Sequence, residues 1–327
     1  MKVLRTILTV VHLLVLMALL GIFLNDYIRP LHFPYFNLLS LGFPILFGVY
    51  LILTIGWILS FRKRSVVFLL VGLVFILPVR RWVNMSDTVD KPSNLKIISY
   101  NVKGTTIDRE GIERFLKNTD ADIAFIQERG YSNLDVEQFP HHFNSVMINQ
   151  VLSKHEILHS EELFDPEETQ HATVTDIAVK GRRIRFINIY LEPFSFEKKM
   201  FKVNEDSEEN KRGLRRILGR LLLIFKAHDR QVNRIHSAVQ DSPYPVVVLG
   251  DMNAVPNSYE YYKVSTGLKD VFLEVGKGSA TSFHDYKFPL RLDYVFTSQE
   301  LEPVRYTVKR DIKYSDHYPI EVELQIP

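Results

Sequence analysis

Apolar positions are distributed along this chain in two regimes. Up to residue 83 they form long runs, and from Asn84 onward they come as strand-length segments and helical stripes. Ile7 to Leu24 is an 18-residue run broken by Thr9 and His12; Leu38 to Phe61 is an uncharged run of 24; Ser65 to Val79 is a run of 15 that ends at Arg80-Arg81-Trp82. A bilayer-spanning helix needs about 20 residues, roughly 17–25. The first two runs meet that length, and the third reaches it when Arg80 and Arg81 snorkel and the helix continues to Val83. Three transmembrane helices are therefore predicted, over about 7–24, 38–61 and 65–83. A cleaved signal peptide accounts for the first run alone, and buried helices of a soluble core have polar faces that these runs lack.

The basic residues orient this region. Lys2, Arg5 and Arg62-Lys63-Arg64 fall on one side, whereas the first loop, Asn25 to Asn37, has Arg29 as its only Lys or Arg. The positive-inside rule places the amino terminus in the cytoplasm and, after three spans, everything beyond Val83 on the outer (periplasmic or extracellular) face of an integral membrane protein. A re-entrant third run would reverse this, and Arg80 and Arg81 pull in that direction. His12 reads as a polar residue packed between helices.

Residues 84–94 are polar, hold a proline and read as a linker to a domain at 95–327. Strands are predicted at Leu95–Val102, Asp122–Glu128, Phe143–Ile148, Val151–Lys154 and Val246–Leu249. Thr173–Val179 and Arg183–Leu191 form a hairpin about Lys180-Gly181-Arg182. Later strands are Arg291–Thr297, Val304–Lys309 and Ile320–Ile326. Ile112–Asn118 has helical spacing. Lys211–Gln240 reads as a basic amphipathic helix that packs its apolar stripe on the core, despite Gly213 and Gly219. Residues 194–210 read as irregular, and residues 276–278 as a glycine-rich turn.

Composition adds two restrictions. With 40 Lys and Arg against 38 Asp and Glu, the overall charge does not announce a nucleic-acid partner. With no cysteine, disulfides and thiolate chemistry are excluded.

The chemistry gathers at strand ends. The buried run before Gly250-Asp-Met-Asn253 delivers Asp251 and Asn253; the others deliver Asn101, Glu128, Asp293, Asp316 and His317, each beside apolar neighbours. Singly, each passes for a turn residue or a satisfied core carboxylate, since buried carboxylates need a partner or a metal. Together, Ser99-Tyr-Asn101, Phe125-Ile-Gln-Glu128, Leu152-Ser-Lys154, Asn188-Ile-Tyr190, Gly250-Asp-Met-Asn253, Arg291-Leu-Asp-Tyr294 and Ser315-Asp-His317 resemble the endonuclease/exonuclease/phosphatase superfamily, the DNase I-like fold.

That resemblance implies a four-layer α/β sandwich, two mostly antiparallel sheets flanked by helices, with the site where strand ends converge. It implies a Mg²⁺ or Mn²⁺ ion held by Glu128 with Asn101 and Asp316; hard oxygen donors suit such ions. Asp251 would deprotonate the attacking water, Asn253 would hold water or phosphate, and His317, fixed by Asp293, would donate to the phosphoryl oxygen. Tyr190 departs from the His expected in an Asn-x-His-Leu setting and resembles the apurinic endonuclease branch, which leaves the substrate class open. Arg230 and Gln231 match residues of the family's long helix without a catalytic role.

The expected activity is a membrane-anchored, metal-dependent hydrolysis of phosphodiesters, either nucleic acid or phospholipid headgroups. No protein partner is inferable. A tethered scaffold that keeps the fold without the chemistry is the alternative, and it predicts decay among catalytic positions that are all present here.

Overall fold

The computed structural model describes the chain except residues 1, 87–90, 131–132, 147, 166–170, 195–206 and 286–289. It begins with α1 (Lys2–Leu20), prolonged by a 3₁₀ segment, Gly21–Asp26, and then α2 (Tyr35–Leu59). Both are long and apolar enough to cross a membrane. The third predicted span is a helical run in three pieces: α3 (Arg64–Gly72), the 3₁₀ turn Leu73–Phe75, and α4 (Ile76–Arg80). His12 is buried between these helices as expected, accepting from Trp57 Nε1 at 3.1 Å and stacking on Phe68. Arg64 reaches back to Thr9, so Arg62, Lys63 and Arg64 lie at the end of the bundle that holds Lys2 and Arg5.

The sandwich follows as β1 (Val83–Met85), β2 (Leu95–Asn101), α5 (Arg109–Asn118), β3 (Ile123–Gln127), β4 (His141–Asn144), β5 (Gln150–Ser153), β6 (Ile157–Glu162), β7 (His171–Val179) and β8 (Arg182–Tyr190). After α6 (Ser207–Gln240) come β9 (Val246–Asp251), α7 (Tyr259–Ser265), β10 (Lys269–Asp270), α8 (Val271–Val275) and β11 (Lys277–Ser279). The chain closes with β12 (Asp293–Thr297), β13 (Glu302–Val308) and β14 (Ile320–Gln325).

Two six-stranded sheets result, in the orders β13-β14-β2-β3-β5-β4 and β10-β12-β9-β8-β7-β6. Their pairs are antiparallel except β2–β3 and β8–β9. Side chains alternate across each strand. On β2, Ile97 enters the core between the sheets with Phe125, Phe186, Leu249 and Val295, while Ile98 and Tyr100 point outward under Ile112 and Leu116 of α5. Behind the second sheet, Ile187, Val248 and Phe296 pack against Val232 and Ile235 of α6 and Val264 of α7. These four layers, helix, sheet, sheet and helix, are the predicted architecture. Phe125 stacks on Phe186 across the central layer with centroids 5.1 Å apart; truncating such a ring to alanine costs about 3–5 kcal/mol.

Local differences from the sequence reading have local causes. The strand predicted at Phe143–Ile148 ends at Asn144, because Ser145 N turns to bond Asn149 O. The start of the expected linker is a strand: β1 pairs antiparallel with β11, which also takes up the expected glycine turn. β6 and α7 were not legible as elements. α6 is continuous through Gly213 and Gly219, its capacity to bury Leu221, Ile224, Phe225, Val232 and Ile235 outweighing two weak positions. The irregular segment lies outside the described residues at 195–206, as does the linker at 87–90.

The helical bundle is joined to the sandwich by buried polar contacts. Asn25 Nδ2 and Ser40 Oγ donate to Asn257 O at 3.0 and 2.6 Å. Asn37 Nδ2 donates to Glu260 at 2.9 Å, and its Oδ1 accepts from Tyr259 N. Arg81 donates to Asn257 Oδ1 at 2.8 Å, and Arg29 pairs with Asp229 of α6. An apolar knot closes the joint: Leu41 of α2 and Trp82 pack on Val255, Phe283 and Leu292.

Candidate active site

Register alone brings much of the site together. Tyr190 on β8, Asp251 on β9 and Asp293 on β12 occupy one row, since Tyr190 is the Cα partner of Asp251, and Asp251 of Asp293. In the facing sheet, Asn101 on β2 is partnered by Gln127 on β3, with Glu128 just beyond. The two sheet ends meet through one amide: Asn101 Nδ2 donates to Glu128 Oε1 and to Asp251 Oδ2, each at 2.9 Å. A second bridge, Gln127 Nε2 to Asn188 Oδ1 at 2.7 Å, lies underneath.

Three backbone features turn these groups toward one another. Glu128 and Asn253 adopt positive φ, 50° and 43°, at the points where their strands stop. Gly250 has φ 125°, and a Cβ there would lie 2.2 Å from Ile189 O, so the close approach of β9 to β8 requires glycine. Asp251 Oδ1 then accepts from Asn253 N at 2.8 Å, and Asn253 Nδ2 donates to Leu191 O at 3.0 Å.

His317 enters on the segment that pairs with Ser282–His284: Tyr318 N donates to Ser282 O and His284 N to Asp316 O. Ser282 Oγ in turn accepts from Asp293 N at 3.1 Å. His317 Nδ1 donates to Asp293 Oδ2 at 2.7 Å, and its Nε2 stands 3.8 Å from Asp251 Oδ2. Burial pushes the imidazolium down, but Asp293 and Asp251 outweigh it and raise His317 to about 10, so the ring is cationic at neutral pH. Burial raises Asp251, reinforced by Asp293 and Glu128 and opposed by His317. Burial likewise pushes the Tyr190 phenol far up, with Glu128 and Asp251 adding to it, so it remains a donor.

All eight residues singled out in the sequence lie at this end of the sandwich. Asp251, Asp293 and His317 are within one ligand-sized cluster, Asn101 and Tyr190 join it to Glu128, Asn253 bonds Asp251, and Asp316 stands at the rim. The sequence reading missed Lys103. Its Nζ reaches Asp316 Oδ2 at 2.6 Å and lies 3.7 Å from Asp285, and its N–H donates to Asn101 Oδ1. The sequence reading also missed Phe283, whose ring meets His317 edge-on with centroids 4.9 Å apart.

The donor set fits a hard divalent cation. The carboxylates of Glu128, Asp251, Asp293 and Asp316 outnumber the cations Lys103 and His317, and a surplus of negative charge is what such an ion neutralises. The raised Asp251 is the same surplus seen as a proton affinity. The donors are oxygens, as a hard cation prefers, and His317 Nδ1 is already committed to Asp293.

The sequence model of the Endonuclease/Exonuclease/phosphatase family matches residues 98–317. The chain belongs to this family. A second model, a domain of unknown function (DUF8431), matches residues 5–82, the helical bundle. No curated protein sequence matches the chain significantly. Among solved structures, humanized D. rerio TDP2 superposes with a TM-score of 0.53 at 16% identity, covering 71% of this chain and 98% of that one. D. rerio TDP2 complexed with single strand DNA product gives 0.51 at 16%, with the same coverages. A family member from Beutenbergia cavernae gives 0.50 at 15%, covering 72% of each chain. At these identities the likeness establishes the fold, and the family's chemistry must be argued from the residues above.

Proposed function

We propose that this protein is a membrane-anchored phosphodiesterase that cleaves its substrate by attack of water, with a divalent metal ion, Mg²⁺ or Mn²⁺, at Glu128, Asn101 and Asp316. The observation that carries the reading is the buried set in which Asp251 faces His317 while Asp293 holds that imidazole in place. Structural carboxylates are normally paired off or exposed; here two are buried side by side with one cation between them.

In this reading Asp251 accepts the proton of the attacking water. Its raised affinity for a proton, from burial first and then Asp293 and Glu128, suits a general base working near neutral pH. Asn253 and Tyr190 offer N–H and O–H donors to phosphate oxygens. Cationic His317 stabilises the charge that builds on the phosphoryl oxygens, and Asp293 maintains that protonation. The bound ion would supply Lewis-acid polarisation of the same phosphoryl group.

The bundle supports anchoring. Its two long helices suit a bilayer, the sandwich sits at the end marked by Asn25, Asn37 and Trp82 together with Arg29, Arg80 and Arg81, and the larger basic group, Lys2, Arg5, Arg62, Lys63 and Arg64, lies at the other. That segregation favours the outer face for the sandwich. The D. rerio relative complexed with single strand DNA product makes a nucleic-acid phosphodiester one candidate; the membrane segment makes phospholipid headgroups another.

The test is hydrolysis of bis(p-nitrophenyl) phosphate by the full-length protein in detergent, with Mg²⁺ or EDTA, beside Asp251→Asn. Mg²⁺-dependent release of nitrophenol lost in the variant supports the enzyme. No release from the parent would instead support a tethered scaffold.

A further inference from the structure

The way the bundle meets the site points to a particular substrate. We infer that the substrate is a phospholipid, its headgroup phosphodiester delivered from the leaflet into which α1 and α2 end; this rests on the phosphodiesterase reading above. The starting observation is a continuous apolar contact from the membrane helices to the reacting groups. Leu41 of α2 and Trp82 pack on the cluster of Val255, Phe283 and Leu292, and Phe283 lies edge-on against His317. Val255 is two residues past Asn253 and Leu292 is next to Asp293 in sequence, and the cluster touches the site through Phe283 against His317.

Depth follows from helix geometry. Leu41 is three residues inside the apolar run that begins at Leu38, about 4.5 Å of helix rise. The headgroup zone of one leaflet is about 5–7 Å thick beyond the hydrocarbon edge. Leu41 therefore lies just inside the hydrocarbon edge, and the apolar cluster it touches leads from there through Phe283 to His317, toward the level of the lipid phosphates. The polar joint fixes this height. Asn25, Asn37, Ser40 and Arg81 are buried and bond Asn257 and Glu260, within nine residues of Asp251. A flexible tether would have no need of such contacts.

The surroundings suit a lipid surface. Tyr27, Phe33 and Tyr35 are exposed in and beside the first interhelical loop, where aromatic side chains sit at bilayer interfaces. α6 is tied to that loop through Arg29–Asp229, and its amino-terminal half exposes Leu214 and Leu218 among Arg212, Arg215 and Arg216, a composition that favours anionic lipid. A polynucleotide instead calls for a basic groove that follows several phosphates; this contact is apolar, with Trp82 and Phe283 among its residues, and is backed by membrane helices. In the reaction the oxygen of water bonds to phosphorus and one ester P–O bond breaks. The water's proton ends on the leaving oxygen, giving a phosphomonoester and an alcohol, with no oxidant or further reactant.

The experiment uses the full-length protein reconstituted in vesicles of phosphatidylcholine, phosphatidylethanolamine and phosphatidylglycerol. Phosphomonoester release is followed by ³¹P NMR, beside a single-stranded DNA oligonucleotide and bis(p-nitrophenyl) phosphate at equal phosphate concentration. Lipid should be hydrolysed at least tenfold faster than DNA. Tyr27→Ala and Phe33→Ala, at the exposed aromatic edge of the bundle, should each lower lipid turnover at least fivefold while leaving the soluble ester within twofold. Cleavage of DNA with intact lipid would overturn the inference and leave the phosphodiesterase reading standing, as would equal losses on lipid and soluble ester in both variants. Failure on the soluble ester as well would remove that reading and this one together.

Discussion

Asp251 and Asp293 stand directly opposite each other on adjacent antiparallel strands, and both are buried. Like charges at such a position destabilise a sheet, and the arrangement persists because the His317 imidazolium bonds one carboxylate at 2.7 Å and lies 3.8 Å from the other. The site is thus a store of electrostatic strain held by one ring.

Replacing either side of that balance should have opposite effects on stability. Asp251 has its folded-state pKa raised above the unfolded value, so its contribution to stability declines as pH rises from about 4. Asp251→Asn should therefore unfold at the same or a higher temperature near neutral pH, while activity falls about 10²–10⁴-fold. His317→Ala removes the cation and leaves two buried like charges, which should cost about 3–5 kcal/mol. Thermal unfolding of the two variants beside the parent checks this; a stabilised His317→Ala would contradict it.

The alkaline side of the pH profile should belong to His317. Its pKa is raised above the unfolded value to about 10, so the cation is present at neutral pH and is lost as pH rises through that range. Turnover should fall correspondingly above pH 9. Asp293→Asn takes away the largest favourable influence, so the alkaline limb should move to lower pH. Histidine ¹³C or ¹⁵N shifts followed through the titration would report the same displacement independently of catalysis.

Metal dependence should track Glu128. Its carboxylate is partly exposed and already oriented by Asn101 at 2.9 Å. EDTA should abolish turnover, with Mg²⁺ or Mn²⁺ restoring it. Glu128→Gln should raise the Mg²⁺ concentration for half-maximal activity by about tenfold or more, since even groups supporting a ligand are worth 10–100-fold in affinity.

The strand ends were legible because a carboxylate after four or five apolar residues, as at Val246–Asp251 or Ile123–Glu128, has few reasons to exist outside a site. The layers were legible only through the family resemblance that those strand ends carry; alternation by itself marked the hairpin at 173–191 and the last strand. Lys103 was not, because a lysine before a glycine is an ordinary turn residue until Asp316, 213 positions away, is brought to its ammonium. Phe283 was not, because an aromatic after a polar turn carries no sign that it will face His317. The third membrane run was only partly legible: its 3₁₀ turn at Leu73–Phe75 leaves no composition signature.

The joint between bundle and sandwich was the least legible feature, because Asn25, Asn37 and Ser40 flank a hydrophobic run and read as its polar edge. Structure makes them consequential. Glu260 is fully buried; Asn37 donates to it from α2, and His228 Nδ1 lies 3.0 Å from it on α6. Asn37→Ala would strip an amide from a buried carboxylate, a loss of about 1.5–3 kcal/mol, and would also orphan Tyr259 N at the start of α7. Because α7 follows the Asp251–Asn253 turn closely, the loss should reach the site. The expected result for full-length Asn37→Ala is a thermal transition several degrees lower, with kcat on a soluble ester reduced several-fold and KM little changed. Asn37→Asp should be worse, placing a second negative charge against Glu260. Unchanged stability in both variants would mean that the sandwich stands independently of α2 and that the bundle serves only as an anchor.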